Sequence, residues 1–541
     1  MSESIVSQQH VSYLKEESRF KGRLKNLFAW ICTTDHKRIG LLYLFVITIF
    51  FIVGAVQGLL MKLELMAPGA NIIGSESFSV LSTLHGIIMV FAVAIPGLTA
   101  VFGNFFLPIM LGTNNVAFPK LNLVSWYVYI IGIIFILLSQ FGYYSGFDPG
   151  WTFNIPYGIL INANILPVVI GIFLIGLSSI ALGINFIVTV HRYRAQGMSW
   201  FKMPLFPWSL YAAAWIQLLA TPVLVIALFM IFAESTMAIG MLDPMLGGDP
   251  TLYQHLFWIY ARPAIYIMIL PAMGIISEII PTFSQKTIFS YRTTIVAMLT
   301  IAFLGFFVWG QHMVTSGIGD RALSLFSFFA LIITVPMIVV VFNWLGTMHK
   351  GSLNITTPFY WAVSFIFIFL IAGLTGLMFG SLATNVYVHR TQFEIAHFHY
   401  IVFGSVSFAF MGAIHYWFPK IFGRMYNKKW ANIGFLVFFI GFNLLFLPMF
   451  MLGYQGLPGH FYDYPPGFHP GNLASSTGSI ILILGALIII INLIRNLRFG
   501  KKCDDMNPWG GKTLEWTIST PPPSVNFDKL PVITNDPYDY N

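Results

Sequence analysis

Twelve stretches of roughly 20 or more predominantly apolar residues dominate this sequence, each long enough to cross a bilayer core as a helix. They run at about 39–61, 79–102, 124–144, 160–190, 208–233, 252–282, 293–314, 323–346, 358–381, 394–418, 432–453 and 475–496. Lipid offers no partner to backbone N–H and C=O groups, so segments of this length must be helices. The fold class is therefore an all-α polytopic membrane protein with twelve transmembrane helices. Composition agrees: 57% of the 541 residues are hydrophobic and 9% are charged. A soluble domain carries about 25% charged residues. A soluble enzyme, a disordered chain and a nucleic-acid module are excluded, despite a net charge of +8.

The chain divides into an inner N-terminal segment (1–38), a twelve-helix membrane domain (39–496) and an inner C-terminal tail (497–541). An even number of spans puts both ends on one side. Lys15, Arg19, Lys21, Arg23, Lys25, Lys37 and Arg38 precede the first span, and Arg192, Arg194, Lys202, Lys286, Arg292, Lys350, Lys420 and Arg424 lie in the even loops. Opposite loops hold only Lys62, Arg321 and Arg390, beside Asp148, Asp243, Asp249 and Asp463. Positive charge stays inside, so both termini are expected inside, with the bacterial inner membrane as the expected location. The N-terminus does not resemble a cleaved signal peptide. Cys32 and Cys503 fall on the reducing side, so no disulfide is expected. Pro521-Pro522-Pro523 reads as an extended surface segment.

Histidine placement carries most of the functional information. His10, His36, His191 and His349 sit with the inner basic clusters and read as solvated loop residues, while His460 and His469 lie in the last outer loop. His85, His312, His397 and His399 lie within or near the ends of apolar spans, where ionisable groups are costly and usually face a site. One such histidine would more often be a hydrogen-bonded core residue than a ligand. His397 and His399 change that reading. Two residues apart on a helix is about 200°, so their imidazoles leave opposite sides and face two different centres. Imidazole is an axial ligand for haem iron, and His85 on the second span could complete one of those centres.

At these residues the chain resembles subunit I of the haem-copper oxidases, the terminal oxidases of respiration. The resemblance runs through TTDHKRIG at 33–40, Thr83–His85, GNFFLPIMLG at 103–112, GLSSIALGINFI at 176–187 and MPLFPWSLY at 203–211. It continues through GGDPTLYQHLFW at 247–258, AHFHY at 396–400 and DYP at 463–465. The resemblance implies two haems of a type the sequence does not give. His85 and His399 would be axial ligands of a six-coordinate relay haem, and His397 the ligand of a second, five-coordinate haem. Trp151 resembles the family's tryptophan near the haem propionates, and His389 the histidine of its magnesium site. Implied partners are the membrane, other oxidase subunits including one that admits electrons, and cytochrome c or quinol as donor. No nucleic acid is implied.

The sequence departs from the family where copper would bind. Three histidines hold it there, one from a G-H-P-E-V-Y motif and two from a consecutive His-His pair. Here the first motif is Ala261-Arg262-Pro263-Ala264-Ile265-Tyr266 and the second Trp309-Gly310-Gln311-His312-Met313. Arg262 and Gln311 replace two ligands and only His312 remains. Arginine has no lone pair to offer, and one imidazole does not hold copper alone, so copper is expected to be absent. Tyr266 reads equally as a hydrogen-bonding core tyrosine and as a redox group. Ala264 and Asn115 replace the acids of one family proton pathway, and Val340 and Met337 the lysine and threonine of the other. Gly459-His460 stands for an arginine pair, and Arg390 for the aspartate beside the magnesium histidine.

Three functions are compatible with this pattern. The first is a membrane haem protein of a respiratory oxidase-like complex, transferring electrons through two haems, with copper-dependent oxygen reduction and proton pumping lost. The second is an active oxidoreductase, working as a cytochrome c or quinol oxidase or reducing another small ligand at the haem. Its catalytic candidates are Arg262, Tyr266, Gln311 and His312, with Arg262 stabilising an anion. The third is a non-catalytic structural or assembly subunit.

Overall fold

The computed structural model describes residues 12–14, 28–69, 72–139, 149–160 and 165–540. His10, the basic residues at 15–25, Asp148 and the stretches 140–144 and 161–164 of the third and fourth expected spans lie outside them. Among the described residues, twelve helices are long and apolar enough to cross a membrane: α1 (His36–Glu64), α2 (Ser75–Met110), α3 (Pro119–Leu138), α4 (Ile165–Arg192), α5 (Leu205–Met237), α6 (Pro250–Ser284), α7 (Tyr291–Met313), α8 (Asp320–Met348), α9 (Thr357–Gly380), α10 (Gln392–Phe422), α11 (Lys428–Tyr454) and α12 (Pro466–Phe499). Each expected span has its helix. Several run longer than hydropathy suggests, because their ends carry Asn, Thr, Ser and Lys that still hold helical geometry.

The central helices are not regular. In α2, wide π-helical turns cover Ile88–Ala94 and Gly97–Gly103, just beyond His85. In α10 the helix loosens to π over His399–Gly404, beginning at a histidine. Wide turns of this kind are rare and gather at functional sites. The α-helical part of α7 ends at Leu304, and tight 3-10 turns over Gly305–Phe307 and Trp309–Met313 carry the chain onward. The Gln311-His312 pair therefore sits on a tight turn.

Helices at the rim pack differently. A Cβ on Gly441 of α11 would stand 2.3 Å from the backbone nitrogen of Leu482 on α12, and one on Gly478 as close to that of Leu445. Such contacts let backbones touch, which is how helices associate where lipid removes the hydrophobic driving force. By contrast α6 is buried along its whole apolar window. It forms the wall against which α5, α7 and α10 rest.

At the end of the bundle shared by the two chain ends, the tail corrects two expectations. The proline-rich segment is not merely a surface strap: Pro522 accepts a hydrogen bond from Tyr13, and Tyr13 is fully buried. Nor is His36 solvated. It is fully buried, with Nδ1 donating to the Asn104 carbonyl at 2.7 Å and Nε2 accepting from Asn526 at 2.9 Å. Asn526 also accepts from the buried Lys37 ammonium at 2.9 Å. Lys420 donates to the carbonyls of Met506 and Ile518 and to Thr520. Tyr538 donates to Glu278 at 2.6 Å. The tail thus supplies partners for charges that the helices bring inward, because an unpaired buried charge costs several kcal/mol. Glu515 is fully buried, accepting from Thr513 at 2.8 Å and leaving its second oxygen unpartnered. Burial pushes its carboxyl up to about 7.

Candidate cofactor site

The candidate residues gather at the opposite end. His85 is eleven residues into α2, and its Nδ1 lies 2.8 Å from the Gly54 carbonyl of α1. A carbonyl only accepts, so Nδ1 carries the proton and Nε2 keeps its lone pair. His399 repeats the arrangement, with Nδ1 donating to the Ile395 carbonyl at 2.7 Å. His397 places Nδ1 3.0 Å from the Thr375 hydroxyl of α9. That hydroxyl already donates to the Ile371 carbonyl, so here too Nδ1 is the donor. None of the three Nε2 atoms has a hydrogen-bond partner among the described residues. A histidine pinned through one nitrogen with a bare second nitrogen is poised as a metal ligand.

His85 and His399 keep some exposure although α2 and α10 are central helices. They are near enough to interact electrostatically, and the His399 ring stacks on Phe446 at 4.6 Å. Room for the rings comes from glycine. A Cβ on Gly58 would stand 3.1 Å from His85, and one on Gly376 3.3 Å from His397. Trp151 lies against Gly86, the neighbour of His85, with its ring 5.9 Å from Phe398. Phe398 separates His397 from His399, so Trp151 lies against the stretch of α10 between the two histidines.

On the other side of that wall, Trp258, Arg262 and Tyr266 follow one another at single-turn spacing along α6, sharing a face. His312 stacks flat on Trp258, with centroids 3.9 Å apart and 7° between planes. The guanidinium of Arg262 lies 5.9 Å from the Tyr266 ring and is electrostatically coupled to His312 and His397. Asn385 donates to the Gln311 carbonyl and fixes the turn. Arg262 Nε, Gln311 Oε1 and both nitrogens of His312 are buried without hydrogen-bond partners. Tyr266 is buried, and its hydroxyl makes no hydrogen bond with a described residue.

Two residues here escaped sequence reasoning. Glu394 lies one turn before His397 on α10, its carboxylate 3.9 Å from His312 and 3.6 Å from His389, accepting from the Arg390 amide. The three-residue spacing to His397 was the available signal. His389 thus has a carboxylate neighbour although Arg390 stands where the family places one. Burial, then Arg390, lowers His389 to about 4. Among the described residues no group of three or more His, Cys, Asp or Glu side chains converges to hold a metal ion. Lys62 was counted with the outer loops, yet it lies in the last turn of α1. Its ammonium donates to Ser475 on α12 at 3.0 Å and acts electrostatically on His399.

Comparison with known proteins gives one family. The family model described as "Cytochrome C and Quinol oxidase polypeptide I" matches residues 38–481. The chain is 36% identical over 521 residues to cytochrome c oxidase subunit 1 of Bacillus subtilis (strain 168), covering 96% of this chain and 83% of that protein. It is 38% identical over 507 residues to cytochrome c oxidase subunit 1 of Synechocystis sp., covering 94% and 91%. A heme-copper terminal oxidase dimer solved by cryo-EM shares the fold, with a TM-score of 0.75 over 86% of this chain and 84% of that one, at 19% identity.

Proposed function

This chain belongs to the cytochrome c and quinol oxidase subunit I family, and from that premise we propose that it transfers electrons through two haems in a respiratory oxidase-like membrane complex and has lost copper-dependent oxygen reduction and proton pumping. His85 and His399 would hold the relay haem, and His397 the second. Haem supplies one-electron iron chemistry when bound. The chain's own part is to fix three imidazoles by their Nδ1 atoms, keep three Nε2 lone pairs bare, and exclude water with Phe446, Phe398 and Trp151. The bare Nε2 atoms carry this reading.

Loss of copper is supported by the donor set. Arg262 offers only N–H groups where a lone pair is needed, Gln311 offers a neutral amide oxygen that is a poor copper ligand, and His312 alone does not hold the ion. Loss of pumping is supported by Ala264 and Val340, both buried apolar residues in positions where the family uses acid and lysine. Trp344, one turn beyond Val340, donates to Ser277 and fills the space between α8 and α6. Proton passage needs titratable or hydroxyl side chains with water. The Lys/Arg distribution supports both ends inside, a division at 1–38, 39–496 and 497–541, and the bacterial inner membrane. Partner subunits and a cytochrome c or quinol donor follow from the family.

A second reading, reduction of a small ligand at the second haem, is favoured by one observation: the unpaired Arg262. Haem and copper determination on the purified complex, with reduced-minus-oxidised spectra, tests both. Two haems and substoichiometric copper are expected. One tightly bound copper near His312 overturns the loss of the copper site. Turnover of a small oxidant supports the second reading, and a haem-free protein leaves a structural subunit.

A further inference from the structure

We propose that Arg262, Gln311 and His312 form a binding site for a small monoanion on the side of the bundle that faces His397. The argument starts from charge. Arg262 is twelve residues into α6, roughly 18 Å along its axis at 1.5 Å per residue, in the central helix of the bundle. It makes no ion pair or hydrogen bond with any described residue, and its Nε is buried. A lone cation this far along a central helix is costly to leave without a counter-charge, although Arg262 as a whole is only partly buried.

The protein's own groups do not relieve that cost. The Tyr266 ring at 5.9 Å offers a cation–π contact, weaker than an ion pair. Glu394 is the nearby carboxylate, but its oxygens meet the Arg390 amide and flank His312 and His389. No backbone carbonyl of a described residue accepts from the guanidinium. Beside it, both His312 nitrogens and Gln311 Oε1 are buried without hydrogen-bond partners; a neutral His312 carries one N–H, and the Gln311 amide carries N–H donors as well as that oxygen. Stacking on Trp258, one turn before Arg262, holds His312 beside the same face of α6. A fixed positive charge with neutral donors around it recognises an anion of one charge and few atoms, such as azide, formate or nitrite. The site deepens the reading of a haem at His397, although its charge argument does not need one.

Sodium azide is the probe, titrated into the purified complex while its infrared asymmetric stretch and the thermal midpoint are followed. Saturable binding with a shifted stretch is expected, weakened at least tenfold in Arg262→Leu and largely retained in Arg262→Lys. Gln311→Glu, which adds a like charge, should abolish binding even if Arg262→Leu does not fold. Unchanged azide affinity in a folded Arg262→Leu or Gln311→Glu protein overturns the site. So does the absence of azide binding together with a carboxylate stretch that moves in Arg262→Leu, which would make a haem propionate the counter-charge. A missing haem spectrum overturns the two-haem reading and leaves the infrared titration to decide the anion site.

Discussion

The two ends of the bundle treat buried charge in opposite ways. At the end closed by the tail, His36, Lys37, Lys420 and Glu278 each find partners within the chain. At the other end Arg262, His312 and His389 are left with unpartnered nitrogens, and His85, His397 and His399 with bare Nε2 atoms. At one end the polypeptide meets most of its own buried charge, whereas the other is shaped for something the polypeptide does not contain. A mutation at the first should act on stability, and one at the second on ligands.

The largest effect is expected at His399. His399→Ala should abolish the bis-imidazole low-spin signal entirely while haem at His397 remains, as read in reduced-minus-oxidised and electron paramagnetic resonance spectra. An intact signal would break the assignment of the His85–His399 pair. Next comes copper. Arg262→His with Gln311→His should raise copper from a trace toward one per chain by elemental analysis, whereas either change alone should not.

At the tail end, Asn526→Leu removes partners from both His36 and Lys37 and should destabilise by about 3 kcal/mol, measured by thermal unfolding with haem spectra unchanged. Glu515 gives a pH signature there. Its folded carboxyl titrates near 7, above the usual carboxylate value, so the fold favours the protonated form. Its stabilisation is full below about pH 4.5 and lost as pH rises through about 7, amounting to about 3 kcal/mol. Glu515→Gln should flatten that decline between pH 5 and 8. The smallest effect belongs to Thr375→Val, which removes one acceptor from His397. A cost of about 1 kcal/mol and a small shift in the second haem's potential are expected.

The sequence made the membrane architecture legible because hydropathy acts over whole segments and needs no tertiary knowledge. The histidine pair at 397 and 399 was legible because two-residue spacing fixes opposite directions on a helix. Contacts across the chain were not. Lys62 has the charge of a loop residue, and only α12 beside it reveals that it points inward to Ser475. Glu394 lies among apolar residues with no motif, and its meaning depends on where the turn at 309–313 places His312. That turn is irregular in a segment whose hydropathy predicts a plain helix.

The contact between His36 and Asn526 joins residues 490 positions apart. It therefore dictates an order of manufacture. A ribosome releases the first membrane helix long before the amide that completes its foot exists, so α1 must wait in the lipid with a buried imidazole and ammonium still seeking partners. Closure of the foot is thus a late step, made only once the last stretch of the chain has emerged.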